Sequence, residues 1–224
     1  HFLDVFPNYP TNGFLNQPME TNVDEAGSCN AYYDGSSINF YAEGAGCAAT
    51  AKLPDVVYHE YGHAINGWRY GSGMQNGGQN EGYADIWAIS LAQNPVLGFG
   101  WDLVDPNVYV RRYDINKKVY PQDLTGEVHA DGEIIAGCFW DTYLNLGNMQ
   151  QMLDLFKYTY DGAPDGPNGT EGIIYTDILV EVLYADDTFL INSSVQFGEE
   201  YMKCIEHHGK TYGLSLNFSK IEAL

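Results

Sequence analysis

The chain has 224 residues, 45% of them apolar, so it can bury a hydrophobic core as one compact unit or as two lobes with a cleft between them. Its 30 acidic residues against 10 basic ones give a formal net charge of −20, which would repel nucleic acid and anionic membranes, so we expect neither as a partner. No apolar run reaches the length of about 18 residues that a membrane helix needs, and we expect a soluble chain.

Residues 1 to about 50 are rich in Asn, Gly, Tyr and Pro. Within this segment, the stretch 31–41 predicts two short strands around Asp34-Gly35, a dipeptide that favours a tight hairpin turn. The N-terminal part of the chain is therefore expected to contain β-structure.

From Leu53 onward the spacing of apolar residues becomes helical. It predicts helices at about 54–68, 82–93, 128–146 and 148–160, and further helices near 171–185 and 195–208. The Gly-rich stretches 71–78 and 161–169 are predicted loops. This order predicts an α+β fold, with a β-containing part at 1–70 that includes the helix at 54–68, and a mainly helical part at 71–224.

The motif His59-Glu60-Tyr61-Gly62-His63 lies in the helix predicted at 54–68. Histidines four residues apart project from the same face of a helix, so both imidazoles can reach one metal ion. Glu81 is the candidate third ligand. Two imidazoles and a carboxylate suit Zn²⁺, and three protein ligands leave a fourth position open for water.

Two further carboxylates complete this pattern. Glu60, beside the first histidine, can accept a proton from the attacking water. Asp85, four residues after Glu81, can reach back to His59 and fix its tautomer. A motif of this kind also arises by chance, and hydrogen bonds alone can hold a buried histidine pair. The pair Glu81 and Asp85 favours the metal, and we predict a hydrolytic site with one catalytic Zn²⁺.

This combination of HEYGH with Glu81 and Asp85 resembles the thermolysin-like glutamate-zincin metallopeptidases, including the fungalysin-type enzymes. Three further stretches match that family in its order, and the resemblance spans about residues 29–141. They are Asn30-Ala31-Tyr32-Tyr33, Arg111-Arg112-Tyr113 and Val128-His129-Ala130-Asp131-Gly132. The resemblance implies a two-lobed zincin fold, in which the active-site helix lies between a β-containing N-terminal lobe and a mainly helical C-terminal lobe. Together the two lobes would form one catalytic unit.

The resemblance also implies roles for residues outside the zinc motif. Asn30 and Ala31 would hold the substrate backbone along an edge strand. Arg111 would contact the substrate carbonyl just beyond the scissile bond. His129 would stabilise the tetrahedral intermediate of the reaction.

Two of the family's functional residues have only approximate counterparts. The stretch between His63 and Glu81 is two residues shorter than in the family, which leaves Tyr70 as the candidate for the tyrosine that assists the oxyanion. Asp123 is the candidate for the aspartate that orients His129, although it lies one residue further away than expected.

The family also binds calcium, and here the sequence departs from its pattern. Asp55 stands where a calcium-binding aspartate is expected, whereas Ala92 replaces the expected glutamate. Because Asp55 follows Pro54, it is equally typical of a helix start. The number of Ca²⁺ ions therefore stays open.

The four cysteines allow three pairings if all are oxidised. Cys29 and Cys47 bracket the predicted hairpin and could close a local loop, and Cys138 with Cys204 could tie two C-terminal helices. The alternative is four buried free thiols. Disulfides persist in an oxidising setting, so with a peptidase we expect a secreted protein that was processed or trimmed before His1.

The sequence thus predicts a zinc endopeptidase that acts as a monomer on polypeptide substrates. One alternative is a zinc hydrolase of a non-peptide amide or ester, since the zinc motif does not select the acyl group. Another is a catalytically inactive, zinc-stabilised module that binds peptide or glycan through exposed Tyr and Trp side chains. Glu60 disfavours this module, because a structural zinc site is normally closed by four protein ligands and needs no base.

Overall fold

Helices and strands both contribute to the fold, as the α+β prediction requires. The computed structural model describes residues 2–71, 74–162, 166–170 and 172–175, without the side chains of 161 and 162. The helices are α1 Phe2–Val5, α2 Pro54–Tyr70, α3 Gly77–Ala92, α4 Val128–Leu146 and α5 Met149–Gly162, with 3₁₀ turns at Phe14–Asn16 and Thr50–Lys52. The strands are β1 Glu20–Glu25, β2 Ala31–Tyr33, β3 Ser37–Tyr41, β4 Val96–Leu97 and β5 Arg111–Arg112.

Strands β2 and β3 form the predicted hairpin around Asp34-Gly35. Asp34 Oδ1 accepts hydrogen bonds from the backbone N–H groups of Ser36 and Ser37 at 2.8 and 2.7 Å, and Gly35 has a φ of 99° that a side chain would strain. β3 lies in the middle of the sheet, antiparallel to β2 and parallel to β1. β2 is therefore an edge strand of this sheet.

The helices around the zinc motif match the prediction, with one shifted boundary. α2 and α4 lie where the sequence predicts them. α3 begins at Gly77, earlier than predicted, because the Asn76 side chain accepts a hydrogen bond from Gln79 N–H at 2.7 Å and caps the helix. Glu81 consequently lies within α3. The predicted helices near 171–185 and 195–208 lie outside the described residues, apart from a helical turn at 172–175.

Glycines at the helix contacts allow α3 to approach both of its neighbours. A Cβ on Gly62 of α2 would lie only 2.7 Å from Cα of Ala84 on α3, and a Cβ on Gly132 of α4 would lie 2.8 Å from the backbone nitrogen of Gly82. α3 is buried on almost every side. The close approach places Glu81 beside the histidines of α2.

A disulfide joins Cys29 and Cys47, as predicted, with their Cα atoms 5.2 Å apart. The alternative of four free thiols is therefore wrong. Cys138 is exposed on α4, and its predicted partner Cys204 lies outside the described residues. In the part of the chain that the structure describes, no helix is both long and apolar enough to cross a membrane.

Candidate metal centre and cleft

Three side chains converge at the contact between α2 and α3. Candidate ligand atoms of His59, His63 and Glu81 all lie within 4.8 Å of one another. His59 Nε2 lies 3.0 Å from His63 Nε2 and 3.2 Å from Glu81 Oε2, and His63 Nε2 lies 3.5 Å from Glu81 Oε1. A tetrahedral ion with ligands at about 2.0–2.1 Å separates neighbouring ligand atoms by about 3.3 Å. These residues could therefore hold a metal ion.

The Glu81 carboxyl group is held in its charged form, as binding of a cation between the three side chains requires. Burial favours its neutral form, but the polar contact and charge of His59, followed by the charges of His63 and His129, outweigh burial and lower the pKa of Glu81 to about 2. Its Oε2 atom is buried and lies 3.2 Å from His59 Nε2, but no donor among the described residues reaches it with hydrogen-bond geometry. A buried acceptor of this kind is costly unless it is paired, and a metal ion would satisfy it.

His59 is supported from behind by a buried carboxylate. Its Nδ1 atom lies 2.6 Å from Asp85 Oδ1, which is the contact that the sequence assigns to Asp85. Asp85 is held in turn by Arg111, through Nε at 2.6 Å and Nη2 at 2.9 Å, and by the donating hydroxyl of Tyr113. Burial would lower the pKa of His59, but the charge and hydrogen bond of Asp85 outweigh it and raise this pKa to about 10.

His63 is supported by an uncharged side chain that the sequence did not identify. Its Nδ1 atom lies 3.0 Å from Asn80 Oδ1. Burial, and then the charge of His59, lower the pKa of His63 to about 4. An asparagine beside a candidate ligand carries no pattern of its own, so only the packing of α3 on α2 reveals this contact.

The candidate metal centre opens into a cleft of about 1000 Å³. Arg111, Asn30 and Ala31 line it, and edge strand β2 forms part of its wall. Apolar and aromatic side chains also line the cleft, among them Phe14, Tyr33, Leu53, Val56, Trp68, Leu97, Trp101 and Val110. The substrate-binding residues that the resemblance implies therefore share one cleft with the candidate ligands.

Glu60 lies next to His59 on α2 and lines the same cleft. Burial raises its pKa to about 7, against the opposing charge of His59. A carboxyl group that titrates near neutral pH can both accept and return a proton, as a general base requires.

His129 lies in the first turn of α4 at the edge of the cleft, with half of its side chain exposed. Its Nε2 atom is 3.6 Å from Glu81 Oε2, and its Nδ1 atom is 2.7 Å from Glu127 Oε1. The structure thus places Glu127 against His129 in the position predicted for Asp123. The Asp123 carboxylate instead accepts a hydrogen bond from Val119 N–H at 2.7 Å within its own turn.

The structure does not bring Tyr70 to the cleft with the other predicted residues. Tyr70 is the last residue of α2, about 10 Å along the helix axis from His63. Its ring packs against the core, with its centroid 6.0 Å from that of Tyr160. The tyrosine predicted to assist the oxyanion is therefore not identified by the geometry.

Asp55, where the resemblance implies calcium, lies at the start of α2. Its Oδ2 atom accepts a hydrogen bond from Gly98 N–H at 2.5 Å, and this contact ties the helix start to the end of β4. Among the described residues, His59, His63 and Glu81 form the group with metal-binding geometry, and Asp55 belongs to no such group.

Comparison with models of known protein families finds no match to the chain, and comparison with curated proteins finds none either. We therefore infer the function from the residues of the cleft. They combine a place for one metal ion, a buried carboxyl group of near-neutral pKa and an edge strand, which together suit metal-assisted hydrolysis of an extended substrate.

Proposed function

We propose that the protein is a zinc-dependent endopeptidase of the thermolysin-like glutamate-zincin type, with the active-site helix α2 between two lobes. The observation that carries the proposal is the convergence of His59, His63 and Glu81 at tetrahedral spacing, with Glu60 beside them in an open cleft. Two imidazoles and one carboxylate form a ligand set typical of catalytic zinc.

The three ligands, Glu60 and His129 have separate roles in the proposed reaction. A Zn²⁺ ion held by the three ligands would supply Lewis-acid polarisation of the attacking water and the scissile carbonyl. Glu60 accepts the proton of the water and returns it to the leaving amine. His129 Nε2 donates to the developing oxyanion when the ring is protonated, while Nδ1 donates to Glu127.

The substrate side of the proposal depends on β2 and Arg111. An extended polypeptide that lies beside β2 can pair with its backbone as an added strand, with Asn30 and Ala31 at the start of that edge. Arg111 is anchored by Asp85, so its position in the cleft wall is fixed for contact with a substrate carbonyl. A strand edge favours a peptide over a small ester or amide. We propose a monomeric extracellular enzyme, in agreement with the disulfide.

Substitution of Glu60 separates catalysis from metal binding. Glu60→Gln keeps the size of the side chain but removes its basicity, so zinc content should stay near one ion per chain while casein hydrolysis falls by about 10²–10⁴-fold. Glu81→Gln is the matched variant, since it makes the same chemical change at a ligand, and it should lose zinc first and activity as a consequence.

The two measurements are zinc content by elemental analysis and proteolysis before and after treatment with 1,10-phenanthroline. Full activity of Glu60→Gln would contradict the assigned base. Zinc without any proteolysis in the unsubstituted protein would favour the binding module over the enzyme.

A further inference from the structure

We propose that Asn66, Tyr160 and Trp87 are positioning residues that fix the tautomer of His63. They form a hydrogen-bond relay with Asn80 that ends at the ring of His63. The successive contacts are Trp87 Nε1 to the Tyr160 hydroxyl at 2.8 Å, that hydroxyl to Asn66 Oδ1 at 2.6 Å, Asn66 Nδ2 to Asn80 Oδ1 at 2.8 Å, and Asn80 Oδ1 to His63 Nδ1 at 3.0 Å.

The direction of the relay is set at its indole end. The Trp87 N–H group can only donate, so the Tyr160 oxygen accepts from it and the hydroxyl proton remains available for Asn66 Oδ1. The backbone oxygen of Asn80 can only accept, so the Asn66 atom 3.0 Å from it is the NH₂ group and Oδ1 faces the Tyr160 hydroxyl. The NH₂ group of Asn66 then donates both to Asn80 Oδ1 and to this backbone oxygen.

The orientation of the Asn80 amide determines which nitrogen of His63 carries the proton. Because Asn80 Oδ1 is fixed as an acceptor, Nδ1 of His63 must carry the proton that it receives. Nε2, the atom that faces His59 and Glu81, is then left with its lone pair. The relay thereby selects the one neutral tautomer that can bind a metal ion through Nε2.

Burial makes this relay a constraint that solvent cannot replace. Asn66 is completely buried, and Trp87 and Tyr160 are only 4% and 5% exposed. A buried amide that loses its partner is destabilising, so the relay holds one pattern of donors and acceptors. Tyr160 lies on α5, and the relay therefore connects this helix to the metal centre on α2 and α3.

Asn66→Leu tests the relay in the metal-free protein. The substitution keeps a similar volume but removes the group that defines the Asn80 amide, so Asn80 can present either its oxygen or its NH₂ group to His63. Both spectra are recorded in a His59→Ala background, because His59 Nε2 lies 3.0 Å from His63 Nε2 and would itself fix the His63 tautomer when it carries a proton. In this background we expect the imidazole ¹H–¹⁵N correlation spectrum to show one His63 tautomer, protonated at Nδ1, before Asn66→Leu and a mixture of both tautomers afterwards. A single unchanged tautomer in Asn66→Leu would overturn the proposal.

Asn80→Asp supplies the rescue in the Asn66→Leu background. A carboxylate at position 80 can only accept, so it should restore the Nδ1-protonated tautomer without any help from Asn66. A residue that merely filled space at position 66 would not be rescued in this way. If the double variant keeps the tautomer mixture, the relay is not the cause.

Tyr160→Phe gives a second test that does not depend on the folding of Asn66→Leu. Removal of the hydroxyl should weaken zinc binding roughly ten-fold in a chelator competition, the lower end of the range for groups that support metal ligands. Tyr158→Phe, on the same helix and outside the relay, is the matched control and should leave the affinity unchanged. Equal effects of the two variants would contradict the relay.

The inference rests on the proposed function only for the ligand role of His63. The tautomer experiment needs no metal, so its result stands even if the unsubstituted protein binds no zinc. Absence of zinc binding would instead refute the proposed function.

Discussion

The two histidines of the candidate metal centre are held in opposite electrostatic environments. Nδ1 of His59 faces the Asp85 carboxylate, which Arg111 fixes from the other side, whereas Nδ1 of His63 faces the amide oxygen of Asn80. The carboxylate raises the pKa of His59 to about 10 against its burial, whereas burial and the charge of His59 lower the pKa of His63 to about 4.

This difference shows how one site can combine two ways of preparing a ligand. The Asp85 carboxylate makes the imidazole of His59 a stronger ligand. It also stabilises the protonated imidazole, so a metal ion must displace a proton from His59 in order to bind. Burial and the charge of His59 keep His63 neutral, so it has no proton to displace near neutral pH. Of the two histidines, His59 therefore carries the pH dependence of the metal-free site, whereas His63 depends on orientation alone.

Among the changes that we consider, removal of the charge on Asp85 should cause the largest losses of stability and zinc affinity, because it acts on the support of His59 and not on that of His63. Asp85→Asn deprives His59 of its support and leaves the guanidinium of Arg111 buried without its partner. Loss of one partner of a buried pair costs about 3–5 kcal/mol of unfolding free energy. We also expect zinc affinity to fall about 10–100-fold. Urea unfolding and chelator competition measure the two losses.

A neighbouring ion pair of the same geometry provides the control. Arg112 also contacts a carboxylate through Nε and Nη2, that of Asp114, but the side chains of this pair are 34% and 31% exposed. Asp114→Asn should therefore cost less than about 1 kcal/mol and leave zinc affinity unchanged. Equal losses of stability and zinc affinity in Asp85→Asn and Asp114→Asn would show that the burial of the Asp85–Arg111 pair has no special importance.

The sequence predicted those parts of the site that depend on local geometry. The spacing of His59 and His63 fixes their common face on any helix, and Asp34-Gly35 marks the hairpin that places β2. Asn76, by contrast, was included in a predicted Gly-rich loop, although an asparagine before a helix is an ordinary capping signal. The start of α3 was therefore predicted too late.

The rest of the site depends on contacts between distant segments. The relay joins Asn66 to Tyr160, which lie 94 residues apart, and neutral polar residues have no periodicity that would reveal such a pair. Glu127 was missed for another reason, since its side chain both caps α4 at Ala130 N–H and reaches His129. The family spacing predicts an aspartate, so it does not reveal a glutamate with this double role.

A change at Gly62 should disturb both histidines together, with a smaller effect. An added methyl group would lie 2.7 Å from Cα of Ala84, so Gly62→Ala must push α3 and its Glu81 away from α2. Overpacking of this kind costs about 1–3 kcal/mol, and zinc affinity should fall with it. Gly67→Ala is the control on the same helix, because its nearest neighbour, Tyr33, would be 3.6 Å away. Loss of zinc affinity in both variants would point to a general effect on α2.

The smallest expected effect is a pH dependence to which, of the two histidines, only His59 contributes. Its pKa in the folded metal-free protein, about 10, lies above the value of 6.5 for an unperturbed histidine, so the folded state holds a proton that the unfolded state has lost between pH 8 and 9. This group therefore makes the free energy of unfolding fall as pH rises, by at most about 1.4 kcal/mol per pH unit. His63, with a pKa of about 4, adds no slope in this range.

Zinc should abolish the contribution of His59, because the metal replaces its proton. Urea unfolding at pH 8 and 9, with and without saturating zinc, isolates this group when it is done on Glu60→Gln, which removes the other side chain of the site with a pKa near neutral. We expect a steeper fall in the metal-free protein. Identical slopes would mean that His59 carries no proton there, and that the two histidines are not as different as their partners imply.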